Sequence, residues 1–268
     1  MSNLNSGRNA PGNDASNIPG PGSRAIGVSA RPKPVPRDAQ EPPTMTGRPI
    51  ANDLLPDICA GLVEVLGGTT YAVMAGIALR LLGSTRPTSD IDLFVPGSNL
   101  RVTQKFLDYG GNHFGAWSSK GKTVIWYRGL DGHRYRVYIW VTERIHHQFP
   151  TSAGGSVAIN GMRVLKPALL LDHKCKSWAE HVARNDQTKK KRDGGDIMFL
   201  LEYMVNKSLR TTNREVSHAT PEFFGHFLYF KRGSEPLFCT IGLLKARETA
   251  QTGGSEPRGF LSNKRAPY

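Results

Sequence analysis

Cysteine is scarce in this chain: its 268 residues contain only Cys59, Cys175 and Cys239, and none belongs to a Cys-x-x-Cys pair. Neither a disulfide framework nor a structural zinc site is therefore expected. Long apolar runs are also missing, because no segment approaches the roughly 20 residues that span a bilayer and none resembles a signal-peptide core. These absences predict an intracellular protein, cytoplasmic or nuclear, without a membrane partner.

Aromatic residues are absent before Tyr71, while residues 1–50 hold nine of the 18 prolines and six of the 29 glycines. Such a segment cannot bury enough apolar surface to offset the entropy lost on ordering. We therefore predict a disordered head at residues 1–50 and, for similar reasons, a flexible tail at 249–268. Between them we expect a core at 51–165 and a helical part at 166–248.

Acidic residues are outnumbered by 35 Lys and Arg to 22 Asp and Glu, which gives a formal net charge of +13. A positive field favours polyanionic partners such as nucleic acid, nucleoside triphosphates or an anionic membrane surface, although it also serves solubility alone. The densest basic cluster comprises Lys174, Lys176, Arg184 and Lys189–Arg192. It is consistent with phosphate contacts and equally with a solvated helix end.

Several well-known catalytic motifs are missing. The chain has no Walker A motif, no Gly-x-Ser-x-Gly and no His-Glu-x-x-His, which argues against P-loop, α/β-hydrolase and zincin chemistry. Its histidines lack ligand partners at metal spacing. Four aromatic residues could stack a nucleic-acid base, although aromatic residues on strands more often pack in the core; they are Trp117, Trp126, Tyr138 and Trp140.

Hydrophobic periodicity predicts the order helix, strand, helix, strand, helix, a run of strands, then helices. This order indicates an α+β fold in which a mixed sheet is flanked by helices, rather than repeated parallel βαβ units. The predicted helices are 53–66, 77–82, 99–109, 167–183, 193–205 and 221–230. The predicted strands are 70–74, 89–95, 122–128, 132–142, 157–159 and 162–165.

The stretch from Tyr71 to Val95 contains a strand, a turn at Gly76, a short helix, a loop and a second strand with Asp90-Ile91-Asp92. Two residues apart on a strand, the carboxylates share one face and can converge on a divalent cation, for which Mg²⁺ is the natural choice. Gly76 allows a close approach to the backbone, and the following helix start offers N–H groups to a phosphate. The combination predicts a nucleoside triphosphate site, whereas Asp-x-Asp alone also fits an ordinary solvated strand.

This stretch resembles the nucleotidyltransferase superfamily that includes DNA polymerase β, especially small members related to AbiEii-type toxins and uncharacterised fungal proteins. The resemblance covers about residues 70–205. The matching motifs are Ala75-Gly76-Ile77-Ala78, Arg86-Pro87-Thr88 and Asp90-Ile91-Asp92, followed by Leu165–Leu169, Lys174-Cys175, Lys189-Lys190 and Asp193-x-x-Asp196. Ala75 stands where the family usually has the first glycine of a pair.

The resemblance implies a nucleotidyltransferase-like sheet and a Mg²⁺-dependent transfer of a nucleoside monophosphate from an NTP to an acceptor hydroxyl. Asp90 and Asp92 would hold the metal as the catalytic pair. The nucleotide-binding residues it implies are Ala75, Gly76, Ile77, Ala78, Arg86, Thr88, Lys174 and Lys190, with Lys174 or Lys190 neutralising phosphate charge. The acceptor is left open between a nucleic acid and a protein.

The family normally places a third carboxylate on a later strand, where it activates the attacking hydroxyl. The matching strand here contains Tyr138 at that position, and the substitutes we consider are Asp131 and Glu143. Two further functions therefore stay open. One is a noncatalytic member of the fold that binds nucleotide, nucleic acid or a protein, and the other is a toxin-like or antitoxin-like regulator.

Overall fold

The computed structural model describes residues 43–98, 100–111, 113–119, 122–142 and 155–245. Of the head predicted to be disordered at residues 1–50, residues 1–42 lie outside the described residues, and so does the tail at 249–268. Within the described ranges, seven strands form a single sheet and seven α-helices pack with it or with one another. In this part of the chain, no helix combines the length and apolar character needed to cross a membrane.

The elements follow the predicted order. The strands are β1 (Ala72–Met74), β2 (Asp90–Val95), β3 (Phe114–Ser119), β4 (Lys122–Arg128), β5 (Arg134–Val141), β6 (Ser156–Ile159) and β7 (Met162–Leu165). The α-helices are α1 (Leu55–Leu66), α2 (Ala75–Leu81), α3 (Leu100–Tyr109), α4 (Pro167–Ala183), α5 (Gln187–Asn206), α6 (Pro221–Phe230) and α7 (Glu235–Thr240). A 3₁₀ turn at Asn52–Leu54 leads into α1.

The sheet is mixed, with the strand order β3-β4-β5-β2-β1-β7-β6. β2 runs parallel to β5 and β1 runs parallel to β7, whereas the other neighbouring pairs are antiparallel. This confirms the predicted α+β class with a mixed sheet and a helical C-terminal part. The parallel register places Asp90 beside Arg136 and Asp92 beside Tyr138.

One face of the sheet is buried by aromatic packing against α1 and α3. Phe106 on α3 meets Phe114 on β3 edge to face, with ring centroids 5.0 Å apart, and Phe114 in turn meets Tyr127 on β4 at 5.6 Å. The Tyr127 hydroxyl donates a hydrogen bond to Asp57 on α1. Alternation along β4 and β5 therefore fixes which side chains enter the core and which face the other way.

The helical part has its own aromatic core. Trp178 on α4 is buried among Phe223, Phe227 and Phe230 of α6, with ring centroids 5.1–5.8 Å apart. The antiparallel neighbour α5 begins at Gln187, where the Asp186 side chain accepts a hydrogen bond from the Lys189 backbone N–H. The predicted start at residue 193 is therefore wrong, because this N-cap outweighs the two glycines that follow the basic run.

The core begins earlier in the chain than predicted. Ile50, assigned from composition to the head, is only 1% exposed, and its backbone N–H donates to the Thr88 carbonyl at 2.7 Å. Nearby, the Thr46 N–H donates to the Arg134 carbonyl at 2.9 Å. The segment before α1 therefore supports the loop that contains Thr88.

Replacement of Ile50 by Ala is expected to lower the free energy of unfolding by about 2–5 kcal/mol, because it removes buried methyl groups and leaves a cavity. Urea denaturation measures this loss. Leu130→Ala, at a residue that is 83% exposed, is the matched control and should change stability by less than about 0.5 kcal/mol. Equal stability of Ile50→Ala and the wild type would place Ile50 outside the core.

Candidate functional site

A cavity of about 610 Å³ opens where the start of α2, the loop before β2, the first half of β2 and the helices α4 and α5 meet. It brings together seven of the residues predicted from sequence, which are Ala75, Gly76, Arg86, Thr88, Asp90, Asp92 and Lys174. Ile77 and Ala78 are buried in α2 and do not line the cavity, and neither does Lys190. The Lys190 ammonium instead lies 4.8 Å from the centroid of the Phe230 ring.

Asp90 and Asp92 point to the same side of β2, while Ile91 and Leu93 between and after them are fully buried. The Ser89 hydroxyl lies 3.3 Å from an Asp90 carboxylate oxygen. The indole N–H of Trp140 on β5 donates to Asp92 Oδ1 at 2.8 Å. The strand thus presents two adjacent carboxylates to the cavity, and the neighbouring parallel strand orients one of them.

Burial raises the pKa of Asp92 to about 6, and the negative charge of Asp90 acts in the same direction. The Trp140 hydrogen bond and the charges of Lys174 and Arg86 oppose this shift without cancelling it. Those two cations pair with Asp196 rather than with Asp92. Ionised Asp92 is therefore poorly compensated in the protein alone, which is the electrostatic condition that favours capture of a cation.

The backbone at the start of α2 is constrained. Ala75 has a φ of 52°, a left-handed conformation that costs a non-glycine residue roughly 1 kcal/mol and explains why glycine suits this position. A Cβ at Gly76 would overlap the Thr88 side chain and lie 2.8 Å from an Arg86 nitrogen. Glycine is needed here because the Arg86–Thr88 loop packs directly on the helix start.

A cluster of buried charges, which we call the ion cluster, lies where α4, α5 and the loop before β2 meet, and Arg86, Lys174 and Asp193 of this cluster line the cavity. Asp193 and Asp196 on α5 are at most 1% exposed. The Lys174 ammonium on α4 lies 3.2 Å from Asp193 and 2.8 Å from Asp196, and Arg86 Nε lies 2.5 Å from Asp196. The ion cluster thus joins both long helices to the loop that carries Arg86.

Asp193 has two further partners in the ion cluster. The Ser177 hydroxyl donates to it at 2.7 Å, and His181 Nδ1 lies 2.8 Å from the same carboxylate. Burial by itself would raise the pKa of Asp193, but Lys174 together with the Ser177 hydrogen bond holds that pKa below its ordinary value. Since Lys174 is engaged by two carboxylates, its charge is already neutralised within the protein.

Three more cations line the cavity at greater exposure, and they are Lys176, Lys189 and Arg192. The Lys189 and Arg192 side chains are 53% and 47% exposed, and their nearest carboxylates are 3.6 and 3.7 Å away. Long, weakly paired cations of this kind can turn toward an anionic ligand without breaking a buried interaction. Four cations and two acids, Glu180 and Asp193, line the helical wall of the cavity, which leaves it a net positive charge, whereas Asp90 and Asp92 make the β2 wall negative.

The alternatives considered for a third carboxylate fall in different places. Tyr138 lies next to Asp92 in the register but does not line the cavity, where Trp140 lies instead. Asp131 is in the β4–β5 turn and accepts a hydrogen bond from the Tyr135 hydroxyl at 2.5 Å. Glu143 lies outside the described residues. In the described ranges, no three or more His, Cys, Asp or Glu side chains form a group arranged for a metal ion.

The main features that sequence reasoning missed are the Trp140 contact with Asp92 and the burial of Asp193 and Asp196. The Trp140 contact depends on the parallel pairing of β2 with β5, for which the sequence contains no local signal. The burial of the two acids did have a local signal in the sequence. Each lies four residues before a buried side chain of α5, Asp193 before Ile197 and Asp196 before Leu200. Acids next to a helical core stripe indicate buried partners of opposite charge.

No protein-family model and no curated protein sequence matches this chain. Among solved structures it is similar to JHP933 from Helicobacter pylori, at 13% sequence identity and a TM-score of 0.42, over 74% of this chain and 90% of the other. It is also similar to a candidate nucleotidyltransferase from H. pylori, at 16% identity and a TM-score of 0.41, over 72% and 93% of the two chains. Similarity at this level leaves function to the chain's own residues.

The raised pKa of Asp92 has a consequence for stability. A carboxyl whose pKa is higher in the folded than in the unfolded chain stabilises the fold when protonated, and that stability is lost as the pH rises from about 4 through about 6. Without divalent metal, Asp92→Asn should therefore be more stable than the wild type at pH 7.5, by about 1–3 kcal/mol, and similar to it at pH 4. Thermal melts in EDTA across this range measure the difference.

Asp108→Asn on α3 is the matched control for that comparison, because it makes the same chemical change at an exposed position. A wild type that is more stable than Asp92→Asn at pH 7.5 would contradict the raised pKa.

Proposed function

We propose that this chain is a nucleotidyltransferase that binds a nucleoside triphosphate and Mg²⁺ in the cavity and transfers the nucleoside monophosphate to an acceptor hydroxyl. The observation that carries the proposal is the two-sided charge of the cavity. Asp90 and Asp92 form one wall, and the exposed cations of α4 and α5 form the other. A triphosphate with its metal has the same division of charge, since the metal side is positive and the free phosphate oxygens are negative.

The carboxylate pair fits a magnesium ion. Mg²⁺ is usually held by one or two carboxylates together with substrate phosphates and water, so two acids are enough when the nucleotide supplies the rest. The poorly compensated charge of Asp92 beside Asp90 supports this assignment. When bound, Mg²⁺ neutralises phosphate charge and orients the triphosphate for displacement.

The cations contribute to binding in different ways. Arg86 and Lys174 are held by Asp196, so they position the wall of the cavity and add a fixed positive field. Lys176, Lys189 and Arg192 are free to approach the phosphate oxygens of the ligand and balance the charge that builds up on the leaving pyrophosphate. This division assigns the direct phosphate contacts to the more exposed side chains.

The reaction joins an acceptor oxygen to the α-phosphorus of the triphosphate. The bond from that phosphorus to the β-phosphate oxygen breaks, pyrophosphate leaves, and the proton of the acceptor hydroxyl passes to water. Gly76 and the Arg86–Thr88 loop shape the part of the cavity beside the carboxylates. Their role is to hold the nucleotide in a single orientation.

A second candidate function is binding without transfer. It is favoured by the tyrosine at the position that neighbours Asp92 on β5, where the resembled family has an acid that activates the hydroxyl. A phenol, with an ordinary pKa near 10, is a poor base and a poor magnesium ligand at neutral pH. A search for labelled product with all four NTPs separates the two functions, because only the transferase releases pyrophosphate.

The double substitution Asp90→Asn with Asp92→Asn should remove Mg²⁺-dependent nucleotide binding, weakening it by at least about tenfold, which is 1.4 kcal/mol. Isothermal titration of ATP, CTP, GTP and UTP, with and without Mg²⁺, measures the effect. The control with the same charge change is Glu64→Gln with Asp108→Asn, on exposed positions of α1 and α3. Unchanged Mg²⁺-dependent affinity in the Asp90/Asp92 variant would exclude this metal site.

Tyr138→Asp should strengthen Mg²⁺ binding, because a third carboxylate would lie next to Asp92 on the neighbouring strand. Tyr138→Asn is the uncharged control and should not strengthen it. Titration with MgCl₂ measures the affinity. Unchanged Mg²⁺ affinity in Tyr138→Asp would mean that this position does not face the metal.

A further inference from the structure

The sheet face that carries Asp90 and Asp92 continues onto β5 and β4 as a surface that we call the open face. It comprises Trp126 and Arg128 on β4 with Arg134, Arg136, Tyr138 and Trp140 on β5. Arg128, Arg134 and Tyr138 are exposed, Arg136 and Trp140 are half-buried, and Trp126 is buried beneath this surface. The intervening residues Tyr135 and Val137 point into the core on the opposite side.

Positive charge is concentrated on the open face in an arrangement that destabilises the pairing of β4 with β5. Arg128 lies directly opposite Arg134 in the antiparallel register, and Arg136 is the next residue on that side of β5. Like charges directly across a strand pair are destabilising. None of the three arginines forms an ion pair with a residue of the described ranges, and the open face contains no acid on β4 or β5. A polyanionic ligand would supply the missing countercharge.

The arginines alternate with aromatic rings. The Arg134 guanidinium lies 5.8 Å from the Trp126 ring centroid, and that of Arg136 lies 5.3 Å from the Tyr138 ring. The Tyr138 and Trp140 ring centroids are 6.2 Å apart. A guanidinium resting on a ring keeps the N–H groups at its edge available for phosphate oxygens. Arginines for the backbone and rings for the bases are the means by which proteins bind single-stranded nucleic acid.

The open face leads directly to the carboxylate pair. Arg136 is the register partner of Asp90, and Tyr138 is the partner of Asp92 on the neighbouring strand. A strand of nucleic acid lying on β4 and β5 would therefore end beside the cavity. The exposed Tyr138 ring favours a single strand, whose bases are unstacked, over a duplex, whose bases are already stacked.

We propose that the open face binds a single-stranded nucleic acid through phosphate contacts of Arg128, Arg134 and Arg136 and base stacking on Tyr138. A terminal hydroxyl of that strand is then the acceptor in the transfer, and this assignment rests on the proposed function. The acceptor, which the nucleotide site alone leaves open, is then a single-stranded nucleic acid.

Fluorescence anisotropy with a labelled oligouridylate of about 12 nucleotides tests the surface. Arg134→Gln with Arg136→Gln should weaken binding by about tenfold or more at low salt and reduce the slope of log K against log salt by about 1.4, for two lost phosphate contacts. The variant should remain folded, because it relieves repulsion between like charges; a thermal melt verifies this. Arg101→Gln with Arg163→Gln, exposed positions on α3 and on the distant strand β7, makes the same charge change elsewhere.

An equal loss of affinity in the control variant, or tighter binding of a duplex of the same length, would overturn the proposal. The Asp90→Asn/Asp92→Asn variant separates the two sites, since it should lose the nucleotide but bind the oligonucleotide at least as tightly as the wild type, because it removes two negative charges next to Arg136 and Tyr138. If the oligonucleotide is the acceptor, we expect the wild type to transfer labelled NMP to it and the Arg134/Arg136 variant to lose this transfer. Binding on the open face with no nucleotide binding in the cavity would contradict the proposed function and leave the surface assignment intact.

Discussion

Two buried carboxylates, Asp193 and Asp196, impose the constraint on which the candidate site depends. Carboxylates at most 1% exposed must find cations within the protein, and they do so in Lys174 of α4 and Arg86 of the loop before β2. Removing Lys174 would take a cation from both carboxylates at once, and breaking a buried ion pair costs up to about 3–5 kcal/mol. The ion cluster therefore links the two long helices to the loop before β2 at the edge of the cavity.

The same arrangement explains why the two walls of the cavity differ in charge. Burial keeps the pKa of Asp92 raised, and the opposing charges of Lys174 and Arg86, which pair with Asp196, do not cancel that shift. The helical wall keeps its outer cations, because Lys189 and Arg192 are only weakly paired. The cavity therefore keeps its carboxylate pair and its exposed cations apart, and the proposed metal and phosphate contacts rest on this charge pattern.

Local signals in the sequence predicted most elements, and long-range pairing accounts for what they missed. The alternation in Asp90–Val95 and the turn at Asn160-Gly161 identified β2 and the β6–β7 hairpin, since Asn160 and Gly161 adopt the positive φ that such turns require. β3 was not predicted, because Phe114–Ser119 has a glycine and two serines instead of an alternating pattern of apolar and polar residues. The convergence of Asp92, Trp140 and the ion cluster arises only when β5 pairs with β2 and α5 packs on α4.

The most direct test of the account is the location of the metal and nucleotide in a crystal of the full chain grown with Mn²⁺ and a non-hydrolysable nucleoside triphosphate. Anomalous scattering locates the manganese independently of any fitted ligand. The account predicts a peak within bonding distance of the Asp90 and Asp92 carboxylates, with the phosphates turned toward Lys176, Lys189 and Arg192. A metal bound elsewhere, or a nucleotide outside the cavity, would contradict it.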